Sequence, residues 1–209
     1  MKLVIFGSTG RTGLELTRQA LALGHTVTAV VRGPIRLPMS HEQLRVVKAT
    51  FTDEDAITKA LGGQEAVLSG VGAPLSRAPT CVHEDSARAI LAAMTKTGVQ
   101  RFLAVTSGGT SPQHEPNLPF VFEQLFKRLF SNIYNDQIRM EQAIMASTVD
   151  WTIVRPAQLT DEPVSNRYRF AEGYALPKGN TTARADVAHF MLNHIVDKAT
   201  FRKGIAIAY

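Results

Sequence analysis

Short hydrophobic segments alternate with longer segments of helical period along almost the whole chain. Several of the short segments are nearly continuous runs of Val, Ile, Leu and Ala, which is typical of strands covered on both faces. Strands that alternate with helices favour βαβ units. We therefore predict an α/β fold, a single Rossmann-like domain over residues 1–209 with a doubly wound parallel sheet and helices on both faces. The predicted strands are 2–6, 26–31, 44–49, 66–71, 101–106, 151–154 and a short last one near 205–208.

Segments of helical period connect these strands. Residues 12–23 form one helical pattern, and Gly24 follows it. Residues 84–96 form another, with Gly98 just beyond its end, where a glycine is typical of a helix C-terminus. A longer pattern spans residues 120–147, and its apolar stripe either packs in the core or lines a substrate pocket.

The stretch 108–119 contains many glycines, prolines and polar residues without periodicity, so we predict a loop there. It follows the carboxyl end of a predicted central strand, where open α/β sheets bind their ligands. A substrate lid and an inert connection both fit this position. We expect it to border the substrate site together with residues 72–82 and 155–180.

Charge and composition narrow the function classes. The 209 residues carry a formal net charge of +5, but their Lys and Arg residues are scattered, which argues against nucleic-acid binding. No segment has the length of a membrane span or the pattern of a signal peptide. Cys81 is the only cysteine, and no set of metal-ligating residues has a convincing spacing. We expect a cytoplasmic protein without a membrane or nucleic-acid partner and without a metal.

A glycine-rich turn follows the first predicted strand, with glycines at positions 7, 10 and 13. Gly7 permits a tight turn, Gly10 lets a pyrophosphate approach the backbone, and Gly13 allows close packing of helix on strand. The spacing is one residue longer than the common dinucleotide fingerprint, but the order of strand, turn and helix is the required one. No Gly-Lys-Ser/Thr follows, so the turn is not a P-loop. The sequence predicts dinucleotide binding.

The second predicted strand ends next to Arg32, about 20 residues beyond the turn, where NAD-binding proteins place an acidic residue on the ribose. An arginine there attracts a 2′-phosphate, and Arg11 and Arg36 add positive charge nearby. A solvated surface arginine is the alternative. We therefore predict NADP(H) as the cofactor, with Gly72 and Ala73 beneath its adenosine and ribose.

Around these residues the chain resembles the atypical short-chain dehydrogenase/reductase family, in which a strand followed by GxxGxxG opens the domain. Within that family it is most similar to the biliverdin-IXβ reductase/flavin reductase group. Members of this group reduce flavins and linear tetrapyrroles by hydride transfer from NADPH and use no metal. Besides the turn, the segments that carry the resemblance are 30–32, 63–67, 106–107, 139–140, 151–156 and 184–192.

The resemblance implies that Ser107 lies beside the nicotinamide as the catalytic candidate and that residues 156–159 border the substrate. The candidate cofactor-binding residues are Gly7, Thr9, Gly10, Arg11, Thr12, Gly13, Arg32, Arg36, Thr50, Gly72, Ala73, Ser107 and Pro156. The candidate substrate-binding residues are Gln158, Leu159, His114 and Phe120.

The chain departs from the family pattern at three places. Ala49 and Thr50 stand where close relatives have Gly-Asp, which puts an adenine contact in doubt. Gln158 falls in the segment where the reductase group has a histidine, and glutamine cannot act as a general acid near neutral pH. Tyr134 lies at a plausible distance from Ser107, but Ile138 replaces the lysine that would activate it, so alcohol dehydrogenase chemistry is disfavoured.

The remaining chemistry-bearing residues have structural interpretations. A second Tyr-x-x-x-Lys, from Tyr174 to Lys178, contains Pro177 and is interpreted as loop. His83, His189 and His194 have no metal-ligand partner, and the last two are interpreted as helix-surface or packing residues. Asp186 is interpreted as favourable charge in the first turn of its helix.

Two functions remain open. The first is an NADPH-dependent reductase of a flavin or linear tetrapyrrole, with the conjugated small molecule bound as substrate and not as a resident cofactor. The second is a non-catalytic NADP(H)-binding redox sensor that resembles NmrA-like regulators. In either case we expect a monomer or a weak dimer.

Overall fold

The computed structural model describes residues 1–33, 37–74, 76–111 and 120–209, with the side chains of Phe120, Phe122, Glu123, Gln124 and Phe126 left aside. Its ten strands are β1 (Lys2–Phe6), β2 (Thr26–Val31), β3 (Leu44–Lys48), β4 (Ala66–Ser69), β5 (Arg101–Val105), β6 (Asp150–Pro156), β7 (Gln158–Thr160), β8 (Arg169–Glu172), β9 (Thr181–Ala183) and β10 (Lys203–Ala208). Eight strands form one sheet in the order β3-β2-β1-β4-β5-β6-β10-β8. All neighbours are parallel except β8, which pairs antiparallel with β10. The strands β7 and β9 form a separate parallel pair.

The helices of the described residues cover both faces of the sheet. They are α1 (Arg11–Ala22), α2 (Glu54–Leu61), α3 (Val82–Thr97), α4 (Phe120–Leu129), α5 (Ser131–Met145) and α6 (Arg184–Asn193). In the central strand β1, alternate side chains pack in the two hydrophobic cores on opposite faces of the sheet. Its Val4 and Phe6 pack with α2, α3 and α5, whereas Leu3 and Ile5 pack with α1 and α6. The predicted α/β, doubly wound fold is confirmed.

The predicted strands all exist, and their ends agree with the structure to within two residues. The helix α2 and three strands were not predicted. The strands β7 and β9 are only three residues long, and β8 is exposed along its whole length, so none of the three shows a clear hydrophobic pattern. The expected loop 155–180 therefore contains β7 and β8, which corrects that prediction. Residues 108–110 form a 3₁₀ turn at the start of the predicted 108–119 loop, and residues 112–119 lie outside the described part.

The prediction of one continuous helix over residues 120–147 is wrong. The backbone leaves helical geometry at Phe130, with φ −117° and ψ 24°, so two helices replace one. A hydrophobic stripe reports which positions face the core, and it does not report whether the backbone stays helical between them. None of the helices among the described residues is long and apolar enough to cross a membrane.

The carboxylate of Asp186 ties the start of α6 to two other parts of the chain. It lies in the first turn of the helix, as predicted. The sequence did not indicate its partners: it accepts hydrogen bonds from the backbone N–H and hydroxyl of Ser165, from the N–H of Asn166 and from the hydroxyl of Tyr209. Burial raises the pKa of this carboxyl, but the hydrogen bonds from Tyr209, Ser165 and Asn166 outweigh it, so the net pKa is lowered.

We expect Asp186→Asn to reduce the free energy of unfolding by about 1.5–3 kcal/mol at pH 7, because hydrogen bonds to a buried charged acceptor are lost. A carboxyl with a lowered folded pKa contributes stability above its unfolded pKa and loses it as the pH falls through the folded value. The difference between the two proteins should therefore shrink as the pH is lowered below about 4. Urea unfolding across this range measures it.

The control is Asp55→Asn, which removes an exposed carboxylate from the first turn of α2. It should change stability by less than about 0.5 kcal/mol. An equal loss in both variants would show that helix charge, and not the hydrogen bonds at Asp186, accounts for the effect.

Candidate functional site

The glycine-rich turn is held by contacts between backbones. Gly7 has φ +75°, and a Cβ there would lie 2.7 Å from the backbone of Gly70, which follows β4. A Cβ on Gly13 would collide with the carbonyl oxygen of Gly7, and one on Gly70 would lie 3.0 Å from the nitrogen of Gly13. Side chains are therefore excluded at Gly7 and Gly13, and a Cβ at Gly70 would require the neighbouring backbone to shift by a few tenths of an ångström. The predicted steric roles of Gly7 and Gly13 are confirmed.

The amino end of α1 is built to receive an anion. Gly10 precedes the helix in extended geometry, and its N–H donates to the carbonyl of Gly7 at 2.8 Å. No side chain caps the helix, and its first turn contains no acidic residue. The first N–H groups of a helix have no intrahelical acceptor, and the helix dipole adds positive potential there. The arrangement suits a phosphate group.

A cavity of about 480 Å³ opens in front of this helix end. It lies at the carboxyl ends of the central strands, where the strand order reverses between β1 and β4. The candidate cofactor residues that line it are Gly7, Thr9, Gly10, Arg11, Thr12, Arg32, Gly72 and Ala73. The structure therefore brings the turn, the end of β2 and the segment after β4 together around one space.

At one end of the cavity, beside β2 and β3, the lining consists of Val30, Arg32, Ala49 and Phe51. Thr50 is exposed and outside this lining, and its hydroxyl pairs with that of Thr52 at 2.9 Å. The prediction of Thr50 as a cofactor-binding residue is therefore corrected: its neighbours Ala49 and Phe51 line the cavity, and Thr50 does not. Arg36 lies outside the described residues.

At the other end, Thr106 and Gln137 line the cavity, and Ser107 adjoins it through Gln137. The Ser107 hydroxyl donates to Oε1 of Gln137 at 2.8 Å. Tyr134 is held against the backbone of Gly109, where any Cβ would collide with its ring. This geometry supports packing, and not acid catalysis, as the role of Tyr134.

The candidate substrate residues are placed unevenly. Leu159 lines the cavity, whereas Gln158 is exposed and Pro156 is buried within β6, and neither of these two is part of the lining. His114 and the side chain of Phe120 lie outside the described part of the chain. Ile133, Gln137 and Arg184 also line the cavity and were not predicted. The resemblance gave no role to them, and helix periodicity does not show which helix packs against which strand end.

A carboxylate bridge crosses the mouth of the cavity. Asp161, just beyond β7, accepts from Arg11 and from Arg184, each at 2.6 Å. Arg11 is 69% exposed at its side chain, whereas Arg184 is only 13% exposed. The bridge holds two guanidinium groups beside the uncapped end of α1, and since one carboxylate pairs with both, a net positive charge remains there.

A buried ion pair supports the floor of the site. Glu141 and Arg155 are almost completely buried and approach to 2.7 Å. Glu141 also accepts from the hydroxyls of Thr106 and Thr110, at 2.7 and 3.0 Å. The Arg155 guanidinium lies 3.8 Å from the centre of the Tyr174 ring. This network fixes the end of β5 against α5 and β6, which positions Thr106 at the cavity.

No group of three or more His, Cys, Asp or Glu side chains that could hold a metal occurs within residues 1–33, 37–74, 76–111 and 120–209. The chemistry available around the cavity is anion binding by backbone N–H groups and arginines, with hydroxyl, amide and imidazole groups toward the other end.

Comparison with known sequences points to a nucleotide site. The family model described as NAD(P)H-binding matches residues 7–198. The chloroplastic protein TIC 62 from Pisum sativum is 24% identical over 92% of this chain and 39% of its own length. This chain therefore spans less than half of that curated relative.

Solved structures show the same fold. A short-chain dehydrogenase/reductase from Veillonella parvula in complex with NADP matches with a TM-score of 0.82 and 22% identity, covering 100% of this chain and 94% of that chain. ChuY, described as an anaerobillin reductase from Escherichia coli O157:H7, matches with a TM-score of 0.79 and 20% identity, covering 100% and 96%. At these identities the similarity establishes the fold and not the reaction.

We expect Gly13→Ala to weaken NADPH binding about tenfold or more, because overpacking of this kind costs about 1–3 kcal/mol and the new methyl group displaces the turn. Fluorescence titration with NADPH measures the dissociation constant. The control is Gly62→Ala, whose Cβ would lie 3.5 Å from its nearest neighbour, an ordinary contact. Equal NADPH affinity in Gly13→Ala and the wild type would contradict this description of the turn.

Proposed function

This chain belongs to the NAD(P)H-binding family, and from that premise we propose that it is an NADPH-dependent reductase that transfers hydride to a flavin or a linear tetrapyrrole. One observation carries the proposal. A single cavity joins the uncapped end of α1 to a region lined by Ile133, Gln137 and Leu159. A dinucleotide bound by its phosphates at the first place would extend its reactive ring toward the second.

The preference for NADP(H) over NAD(H) rests on Arg32. It follows the last residue of β2 and is exposed on the cavity lining. NAD-binding proteins place a carboxylate here to accept from the ribose hydroxyls, whereas a guanidinium attracts a 2′-phosphate and can stack on adenine.

The choice of acceptor rests on what the site contains. Tyr134 is packed against Gly109, and Ile138 stands where an activating lysine would be, so the site is poorly suited to alcohols. A conjugated, electron-poor acceptor needs mainly to be stacked on the nicotinamide with competing reactions excluded. We propose that the flavin or tetrapyrrole binds as substrate, next to Leu159 and Gln137, and that Ser107 orients the nicotinamide end through Gln137. The description of ChuY as a reductase supports this assignment.

A second candidate is a non-catalytic NADP(H)-binding redox sensor. Ile138 and Gln158 favour it, since Ile138 replaces the lysine that would activate a catalytic tyrosine and Gln158 falls in the segment where the reductase group has a histidine. In either case we propose a cytoplasmic protein that is a monomer or weak dimer and has no membrane or nucleic-acid partner. The single, exposed and unpaired Cys81 is consistent with a reducing compartment.

Turnover separates the two candidates. Purified protein is mixed with NADPH and, in parallel, with FMN, riboflavin or biliverdin, and the loss of nicotinamide absorbance is followed. The reductase assignment predicts enzyme-dependent oxidation with at least one acceptor. Tight NADPH binding without turnover of any of them would favour the sensor.

We expect Arg32→Asp to weaken NADPH binding about tenfold or more and NADH binding much less, because a charge-assisted contact worth about 1.5–3 kcal/mol is lost and replaced by repulsion. The matched control is Arg45→Asp, which reverses an exposed charge on the edge strand β3 outside the cavity. Dissociation constants for both nucleotides give the result. An equal loss for NADPH and NADH would overturn the role of Arg32.

A further inference from the structure

His83 is a buried histidine on the cavity wall that the chemistry described so far does not use. It lies in the first turn of α3, is 2% exposed and belongs to the lining. Its Nδ1 lies 2.9 Å from Oδ2 of Asp136 on α5. Among the described residues no hydrogen bond to its Nε2 is found.

Asp136 holds this ring from a second helix. Its carboxylate is fully buried and also accepts the backbone N–H groups of His83 and Glu84, each at 3.0 Å. Cys81 provides no side-chain cap, so Asp136 serves as the cap of α3. These two backbone N–H groups hold the Asp136 side chain in place as a hydrogen-bond acceptor. It therefore fixes the hydrogen on Nδ1 and leaves Nε2 as the nitrogen that gains and loses a proton.

The cavity contains few groups that could supply a proton. Its titratable lining residues within the described part of the chain are Arg11, Arg32, Arg184 and His83. Arginine side chains stay protonated at all physiological pH values. Among the lining residues that the structure describes, His83 is therefore the one with a side chain of the kind that exchanges protons near neutral pH. Gln137, next to Asp136 on α5, lines the same cavity, so the ring lies on the wall that we assign to the acceptor.

We propose that His83 is the proton donor in the reduction and that Asp136 is its positioning residue, an inference that rests on the reductase function proposed above. Hydride moves from NADPH to the acceptor, so the cofactor is oxidised to NADP⁺ and the acceptor gains two electrons. The Nε2–H bond of protonated His83 breaks, and its proton neutralises the anion so formed. Solvent returns a proton to Nε2. Asp136 keeps its hydrogen bond to Nδ1–H throughout.

Charged and polar groups from α3, α5 and the segment before α3 lie around the ring of His83. From α5, Asp136 faces His83, and the Arg139 guanidinium lies 3.7 Å from that carboxylate. From α3, Glu84 pairs with both Arg139 and Arg88. The segment before α3 contributes the hydroxyl of Thr80, 3.5 Å from Asp136, and the thiol of Cys81. Among these described groups Asp136 is the one that contacts the ring, so it is the group that orients His83.

The test variant is His83→Asn, because the asparagine amide can still donate to Asp136 while it carries no transferable proton. With the best acceptor, we expect kcat to fall about 100-fold, within the usual contribution of a general acid. The dissociation constant of NADPH should stay within about twofold. The wild-type kcat should decline on the alkaline side as His83 loses its proton, and this limb should vanish in the variant. The control is His189→Asn. His189 is a partly buried histidine on α6 that is hydrogen-bonded to Tyr168 and is not part of the cavity lining.

The kcat, the pH profile and the urea unfolding curve of His83→Asn together test the role of His83. A lower kcat with a lost alkaline limb and a normal urea unfolding curve supports the assignment. A wild-type kcat and pH profile in the variant would overturn it and leave the reductase function standing. If the wild-type protein turns over no acceptor, the reductase function fails and this inference fails with it. Should His83→Asn not fold, His83→Gln carries the same test.

A second measurement does not depend on turnover. In the wild-type protein, NADP⁺ should shift the ring-proton NMR signals of His83, which are identified by their absence from the spectrum of the variant. The signals of His25, which is bonded to the chain terminus, should not move. Unchanged His83 signals at saturating NADP⁺ would overturn its placement at the reacting groups.

Discussion

The close approach of three backbone segments at Gly7, Gly13 and Gly70 is the constraint on which the site depends. It brings the end of β1, the start of α1 and the end of β4 within van der Waals contact. Only this contact allows the uncapped amino end of α1 to face the crevice where the strand order reverses. The candidate phosphate site therefore follows from backbone packing, and the arginines around it add charge to a position already determined.

Around that position, buried polar groups connect helices to strand ends. Asp136 caps α3 from α5, Glu141 and Arg155 join α5 to β6, and Asp186 ties α6 to the residues after β7. Each of these carboxylates accepts several hydrogen bonds, which offset part of the cost of burial and make the geometry specific. The networks of Asp136 and Glu141 hold His83 and Thr106 in the cavity lining, so groups that hold the fold also orient the candidate chemistry.

Much of the fold could be predicted from the sequence, because burial on both faces leaves continuous hydrophobic runs in parallel strands. The predictions failed where that signal is weak. The exposed edge strand β8 has no buried face, and β7 and β9 are too short to show a period. The break at Phe130 was invisible because hydrophobic spacing continues across it. In the site, Arg32 was found from its distance to the turn, whereas Arg184 and Gln137 have no local pattern.

By itself the sequence determined the strand-turn-helix unit, the cofactor class and the arginine at the end of β2, because these depend on residues near one another in the chain. Only the tertiary structure decided which distant side chains share the cavity. His83 and Asp136 are separated by 53 positions, and Asp161 meets Arg11 across 150. Such pairs form where helices and loops pack over the sheet edge, and local periodicity contains no information about that packing. The glycine turn could thus be predicted from the sequence, whereas the part of the cavity lined by His83 and Gln137 could not.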